Sequence, residues 1–188
     1  MDGVVYQKLV EPSAEIAATL CRWENDPDLV PFTRRCRDRE DLAREIVVTT
    51  EIIRERLKTH ASYLIHWEGR LVGEVSFQVD PAICMRKVPG TAWIGITIGE
   101  RAARHRGIGR DAMGYIENEI RLQGLRRIEL GVFEFNENAR RLYQKLGYRE
   151  FARVEAFTYW DGRMWQDIRM EKDVAGTSAK GDATADAR

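Results

Sequence analysis

The chain has 188 residues, 44% of them hydrophobic and 32% charged, which is the size and balance of one globular domain. Lys+Arg and Asp+Glu each number 30, so the net charge is zero and no overall field favours a polyanion, which argues against nucleic acid as a partner. No apolar run reaches transmembrane length and no metal-ligand spacing links Cys21, Cys36, Cys84, His60, His66 or His105, so neither membrane nor metal is expected. Three scattered cysteines and the absence of a leader-like N-terminus fit reduced thiols and a cytoplasmic location.

A first strand is expected at about residues 3–9. Pro12 and Ser13 then start a helix with Ile16, Leu20 and Trp23 on one face. NDPDLVPFTRRCRD carries two prolines and reads as a surface loop, and a second helix is expected from about 39 to 59 with Leu42, Ile46, Ile53 and Leu57 as its stripe. YLIHW and VGEVSFQV form a hairpin at Glu68-Gly69, followed by a loop and the alternating strand TAWIGITIG. A helix at about 107–123 can use Gly124 beyond its end, RIELGVF is a strand, and Asn136 caps a helix bearing Leu142, Tyr143 and Leu146. FTYWDGRMWQDI closes the pattern as a hairpin around Asp161-Gly162. The order β-α-α-β-β-β-α-β-α-β-β describes one α/β domain at residues 1–173, with a mixed sheet and a single parallel βαβ unit; VAGTSAKGDATADAR, at 174–188, reads as a disordered tail.

The stretch ERAARHRGIGRDAMG invites a chemical question. Gly107 and Gly109 permit a tight turn and close approach to a ligand, while the helix start behind them offers unpaired N–H groups and partial positive charge. Arg104, Arg106 and Arg110 can add charge-assisted bonds, so a pyrophosphate is a fitting ligand; a solvated, arginine-rich helix start is the plain alternative. Gly107, Gly109 and Ala112 also satisfy the dinucleotide fingerprint G-x-G-x-x-[GA]. That motif places its first glycine directly after the strand, however, and here Glu100 to Arg106 intervene. No nucleoside-triphosphatase loop, G-x-x-x-x-G-K-[ST], is present.

Arg104-His105-Arg106-Gly107-Ile108-Gly109 matches [QR]-x-x-G-x-[GA], the acetyl-CoA signature of the GNAT superfamily of N-acetyltransferases. NENARRLYQKLGY, with Asn136 and Tyr143, resembles a second element of that family. The flanking strands and YWDGRMWQDIRM resemble the branch with spermidine and ribosomal-protein alanine acetyltransferases. The resemblance spans about residues 4–172 and is most specific from 93 to 148.

It implies a GNAT-like fold in which the strand before the glycine turn splays from its neighbour. The backbone of Thr97, Ile98 and Gly99 would pair with pantetheine amides. The amides of Arg104, His105, Arg106, Gly107, Ile108, Gly109 and Arg110 would hold the pyrophosphate, and Asn136 would contact CoA while capping its helix. Tyr143 matches the residue that protonates the departing thiolate; a phenol of pKa about 10 holds its proton at neutral pH. As a bare helical residue, Tyr143 could equally be an apolar-face aromatic.

The implied reaction is direct attack of a primary amine on the thioester of acetyl-CoA within a ternary complex. Relatives carry a basic glutamate at positions corresponding here to Trp93 or Gly131, and neither residue accepts a proton. Glu74, Glu134 or a water chain stand as alternatives, none assigned. The acceptor is a polyamine, another small amine or a protein N-terminus; whether Asp26, Asp28, Glu74 and Glu134 converge on it is open, as is whether Trp93, Trp160 and Trp165 wall its pocket. A CoA-binding module without turnover is the alternative function, and a homodimer is compatible with the family.

Overall fold

The computed structural model describes residues 3–174. Of the tail expected at 174–188, Val174 still belongs to the domain: it is buried and its amide donates to Arg126 O at 2.7 Å. The remainder of that tail lies outside the described residues.

Strand β1 (Val4–Lys8) leads to helix α1 (Ala14–Glu24), whose first turn is capped by Ser13 Oγ accepting from the Ile16 amide. Two short helices follow, α2 (Val30–Thr33) and α3 (Arg39–Ala43), then α4 (Thr50–Leu57). The proline-rich stretch expected to be a surface loop is in fact partly interior, because Leu29, Val30 and Cys36 are buried. The single helix expected over 39–59 is also corrected. Val47, Val48, Thr49 and Thr50 form a β-branched run that resists helix, and Thr49 instead caps α4 by accepting from the Ile52 amide. Asn25 clamps the intervening segment, since its side chain both accepts from Ile46 N and donates to Ile46 O at 2.8 Å.

Strands β2 (His60–Trp67), β3 (Arg70–Val79) and β4 (Thr91–Ile98) form an antiparallel meander. Glu68 and Gly69 turn the first corner with consecutive positive φ values of 51° and 75°. A one-turn 3₁₀ segment, Arg101–Ala103, precedes α5 (Ile108–Leu122), and β5 (Arg127–Phe133) returns parallel to β4. Helix α6 (Glu137–Lys145) then leads into the long hairpin β6 (Arg149–Trp160) and β7 (Arg163–Asp173), turned by Asp161 and Gly162 at φ 48° and 80°. The sheet order is β1-β2-β3-β4-β5-β7-β6, the expected mixed sheet with one βαβ unit.

Each face of the sheet has its own core. Ile108, Ala112, Met113, Ile116 and Ile120 of α5 pack on Ile65, Val75, Ile94, Ile128 and Leu130, with Tyr143 and Tyr148 beside them. On the opposite face, Leu20 and Trp23 of α1 and Ile53 of α4 cover Leu64. Asn136 caps α6 by accepting from the Ala139 amide at 3.3 Å. Asn136→Ala is therefore expected to cost about 1 kcal/mol, read from the urea midpoint at unchanged slope.

Candidate functional site

Strands β4 and β5 pair only from Thr91↔Arg127 to Trp93↔Glu129. Beyond that rung β4 stays bonded to β3 as far as Ile98, and β5 stays bonded to β7 as far as Phe133. The sheet thus opens as a V whose one arm ends in Thr97 and Ile98, both half-buried, and its edge is a template for an added strand-like ligand.

The V ends at the glycine turn. A Cβ on Gly99 would stand 2.0 Å from the Trp23 indole, so this turn admits no side chain. His105 and Gly107 take positive φ values of 61° and 83°, and Gly107 occupies the N-cap of α5 with no side chain capping the helix. The amides of Arg110 and Asp111 turn back to Gly107 O, but those from His105 to Gly109 find no acceptor among the described residues. His105, Arg106, Gly107 and Arg110 are exposed, whereas Ile108 is anchored in the core. The result is an open, positively polarised helix N-terminus suited to an anion.

Arg104, expected among the ligand contacts, makes several bonds within the protein. Its amide donates to Arg101 O, and its guanidinium donates to Ile98 O at 3.2 Å and Gly99 O at 2.8 Å while pairing with Asp26 at 3.1 Å. It braces the end of β4 against the connection after α1, which narrows the free amides to residues 105–109. Two sequence motifs far apart in the chain meet here, since a Cβ on Gly109 would lie 3.8 Å from Leu142 Cδ2 of α6. Next to Leu142, Tyr143 is buried, lies 5.9 Å from the Tyr148 ring, and has no hydroxyl partner among the described residues. Burial pushes its phenol up to about 12. Asn136 keeps its capping bond, which engages its oxygen and leaves its amide NH₂ without a partner among the described residues.

A cleft of about 580 Å³ opens beside the turn, lined by Asp28, Pro31, Phe32, Arg104, His105 and Trp160 among others. Trp160 therefore walls it, while Trp93 lies under the Arg169 guanidinium at 4.8 Å and Trp165 under that of Arg163 at 3.5 Å. Of the four carboxylates whose convergence the sequence left open, three face arginines, while Glu134 makes no ion pair among the described residues. Asp26 pairs with Arg104, Asp28 approaches Arg101 at 3.9 Å, and Glu74 is bonded to Arg56. Burial nevertheless raises the Glu74 carboxyl above its ordinary range. Among the described residues, no group of three or more His, Cys, Asp or Glu is arranged to hold a metal, and no helix is long and apolar enough to cross a membrane.

The sequence offered no signal for Asp167 and Arg169. They are buried on the face of the sheet shared with Trp93 and Gly131, and Arg169 Nε stands 2.8 Å from Asp167 Oδ2. A Cβ on Gly131 would lie 2.6 Å from that same oxygen, so the carboxylate occupies the space a β5 side chain would fill. Alternation in WQDIRM places both residues opposite Ile168 and Met170, but which strand they would face was not readable.

This geometry agrees with the comparisons. A putative acetyltransferase from Salmonella typhimurium, solved with acetyl-CoA, superposes with a TM-score of 0.70 at 17% identity, covering 95% of this chain and 98% of its own. Spermidine N-acetyltransferase from Vibrio cholerae, solved with CoA and spermine, gives 0.70 at 14% identity over 92% and 96% of the two chains. Ribosomal-protein-alanine N-acetyltransferase from Brucella melitensis gives 0.69 at 18% over 90% and 99%. Such likenesses are of fold and favour neither branch, and no curated protein matches the sequence. The model of the acetyltransferase (GNAT) family, in contrast, matches residues 17–148, the stretch that carries the V, the glycine turn and α6. With the splayed strands and uncapped helix both inside that match, the chain belongs to the acetyltransferase (GNAT) family.

Proposed function

We propose that the protein transfers an acetyl group from acetyl-CoA to a primary amine by direct attack within a ternary complex. The observation that carries this reading is the continuity of the V with the free amides at the start of α5. A strand edge leading into an anion cradle fits a ligand with an amide-bearing arm and a pyrophosphate. When bound, acetyl-CoA supplies an acyl carbon activated as a thioester.

In this reading the backbone of Thr97, Ile98 and Gly99 holds the pantetheine arm, and the amides of His105, Arg106, Gly107, Ile108 and Gly109 hold the pyrophosphate. Arg106 and Arg110, both exposed, add positive charge at the rim, and Arg104 keeps the turn in place. Asn136 contacts the ligand through its free NH₂, and Tyr143 donates a proton to the leaving sulfur. An acceptor of low positive charge is favoured over a polyamine, because Asp26, Asp28 and Glu74 already face arginines and offer little uncompensated negative charge.

The test is release of free thiol from acetyl-CoA in the presence of spermidine, amino acids, aminoglycosides or alanine-terminated peptides. Acceptor-dependent release, with spermidine among the poorer substrates, is the expected result. Tight CoA binding without release for any acceptor would instead mark a CoA-binding module.

A further inference from the structure

Amine attack requires a proton acceptor, because an alkylammonium of pKa about 10 is almost wholly protonated at neutral pH. Trp93 and Gly131, the positions that correspond to the glutamates of relatives, carry no such group. We propose that Asp167, reaching from β7 into the side-chain space left empty by Gly131 on β5, is the general base. This inference rests on the acetyl-transfer reading.

Three features of the structure support it. First, the place is right: Gly131 lies two residues past the last β4–β5 rung, on the arm of the V opposite Thr97, and its register partner is Arg169. Second, the face is right. Asp167 shares the sheet face of Trp93 and Gly131, opposite the core under α5, and on that face Gly95 of β4 and Gly131 of β5 both lack side chains beside the opening of the V. Third, the glycine and the aspartate are matched. A Cβ at 131 would stand 2.6 Å from Oδ2 and 3.0 Å from Oδ1, so a side chain there and this carboxylate exclude one another.

The charged groups around Asp167 set its behaviour. Arg169 on its own strand and Arg35 from the segment after α2 both favour the charged form, while Arg35 is itself held over the Phe157 ring of β6 at 4.3 Å. Arg169 is shared with Glu129 of β5. Burial outweighs both cations and pushes the Asp167 carboxyl up to about 6. It is thus charged at neutral pH yet more basic than an ordinary aspartate, which suits a proton acceptor. Glu74, like Asp167, is paired with an arginine, but it lies on β3, away from the vacancy at Gly131.

The proton inventory balances. The ammonium gives one proton to the Asp167 carboxylate, and the freed nitrogen lone pair forms the C–N bond as the C–S bond breaks. Tyr143 gives its proton to the sulfur, which leaves as a thiol, the nitrogen's second proton, lost as the amide forms, restores the phenol, and Asp167 returns its proton to solvent. One proton is released per turnover.

The test compares wild type with Asp167→Asn. Because removing one partner can strand the buried Arg169 charge, Asp167→Asn with Arg169→Gln serves as a second variant. CoA binding by calorimetry and thermal melting are read first, since neither depends on turnover. CoA affinity within about threefold of wild type is expected, with kcat/KM for the best amine in the panel lowered roughly 10²-fold or more near pH 7. The deficit should shrink to about tenfold or less near pH 10, where the amine supplies its own neutral form. A deficit constant with pH would mark Asp167 as structural and overturn the proposal, as would kcat/KM within about threefold of wild type. If neither variant melts cooperatively, the wild-type profile decides: kcat/KM should be level between about pH 7 and 9 and break downward near pH 6, and either a flat profile down to about pH 5 or an unbroken slope through about pH 6–9 overturns the assignment. Those failures leave acetyl transfer standing. Wild type that binds CoA but acetylates no amine would remove both readings.

Discussion

Trp23→Ala is expected to lower the free energy of unfolding by roughly 3–5 kcal/mol and to weaken CoA binding as well. Trp23 is 3% exposed and packs with Leu20, Leu29, Ile53 and Leu64 in the core under α1. Loss of its ring removes a large buried area and leaves a void that the surrounding helices can fill only in part. The ring also abuts the glycine turn itself, because it fills the space where Gly99 lacks a Cβ. Its Nε1 donates to Glu100 Oε1 at 3.1 Å, and Arg22 reaches the same oxygen at 2.6 Å. Removing the indole therefore frees the turn just ahead of the phosphate cradle. Urea unfolding and calorimetry with CoA check the two effects separately, and affinity should fall by about tenfold, or roughly 1.4 kcal/mol. A stability change below about 1 kcal/mol would show that the site repacks around the loss. Gly99→Ala approaches the same contact from the other side; there the indole must move, and overpacking should cost about 1–3 kcal/mol.

That contact also shows what a sequence can and cannot reveal. Trp23 was readable as one apolar position on an amphipathic helix, and Gly99 as the end of a strand. Their mutual exclusion is a property of two surfaces brought together from 76 positions apart. Local chemistry was legible wherever the backbone itself sets the answer. Glu68-Gly69 and Asp161-Gly162 turn with the positive φ values such pairs favour, and α5 and α6 begin at Gly107 and Asn136 as read. The break between α3 and α4 was missed because the apolar stripe from Leu42 to Leu57 outweighed the β-branched run inside it. The motif position of Arg104 was visible in the sequence, but the bonds of its guanidinium to Ile98 O, Gly99 O and Asp26 were not. Asp167 was hidden for a related reason. The sheet order sets β7 beside β5, so a carboxylate 36 residues later in the chain fills the vacancy at Gly131.

Tyr143→Phe is expected to lower kcat by roughly 10²-fold while leaving CoA affinity within about twofold of wild type. The structure makes this variant a clean probe. The hydroxyl has no partner among the described residues, so deleting it strands no buried donor or acceptor, and stability should change by less than about 0.5 kcal/mol. The ring, which carries the packing against Tyr148, stays in place. Turnover and stability are thus separated by one atom. The sign of the pH effect follows from burial, which raises the phenol to about 12. Tyr143 keeps its proton throughout the neutral range and imposes no alkaline limb on wild-type kcat below about pH 11. In the variant, a thiolate leaving without this donor should make kcat depend more steeply on the basicity of the leaving thiol. Pre-steady-state thiol release, with acetyl-CoA and an acetyl thioester of a more acidic thiol compared side by side, reads that dependence directly. Unchanged turnover with acetyl-CoA would confine Tyr143 to the packing of α6, and the proton for the leaving sulfur would then have to come from solvent reaching the V between β4 and β5.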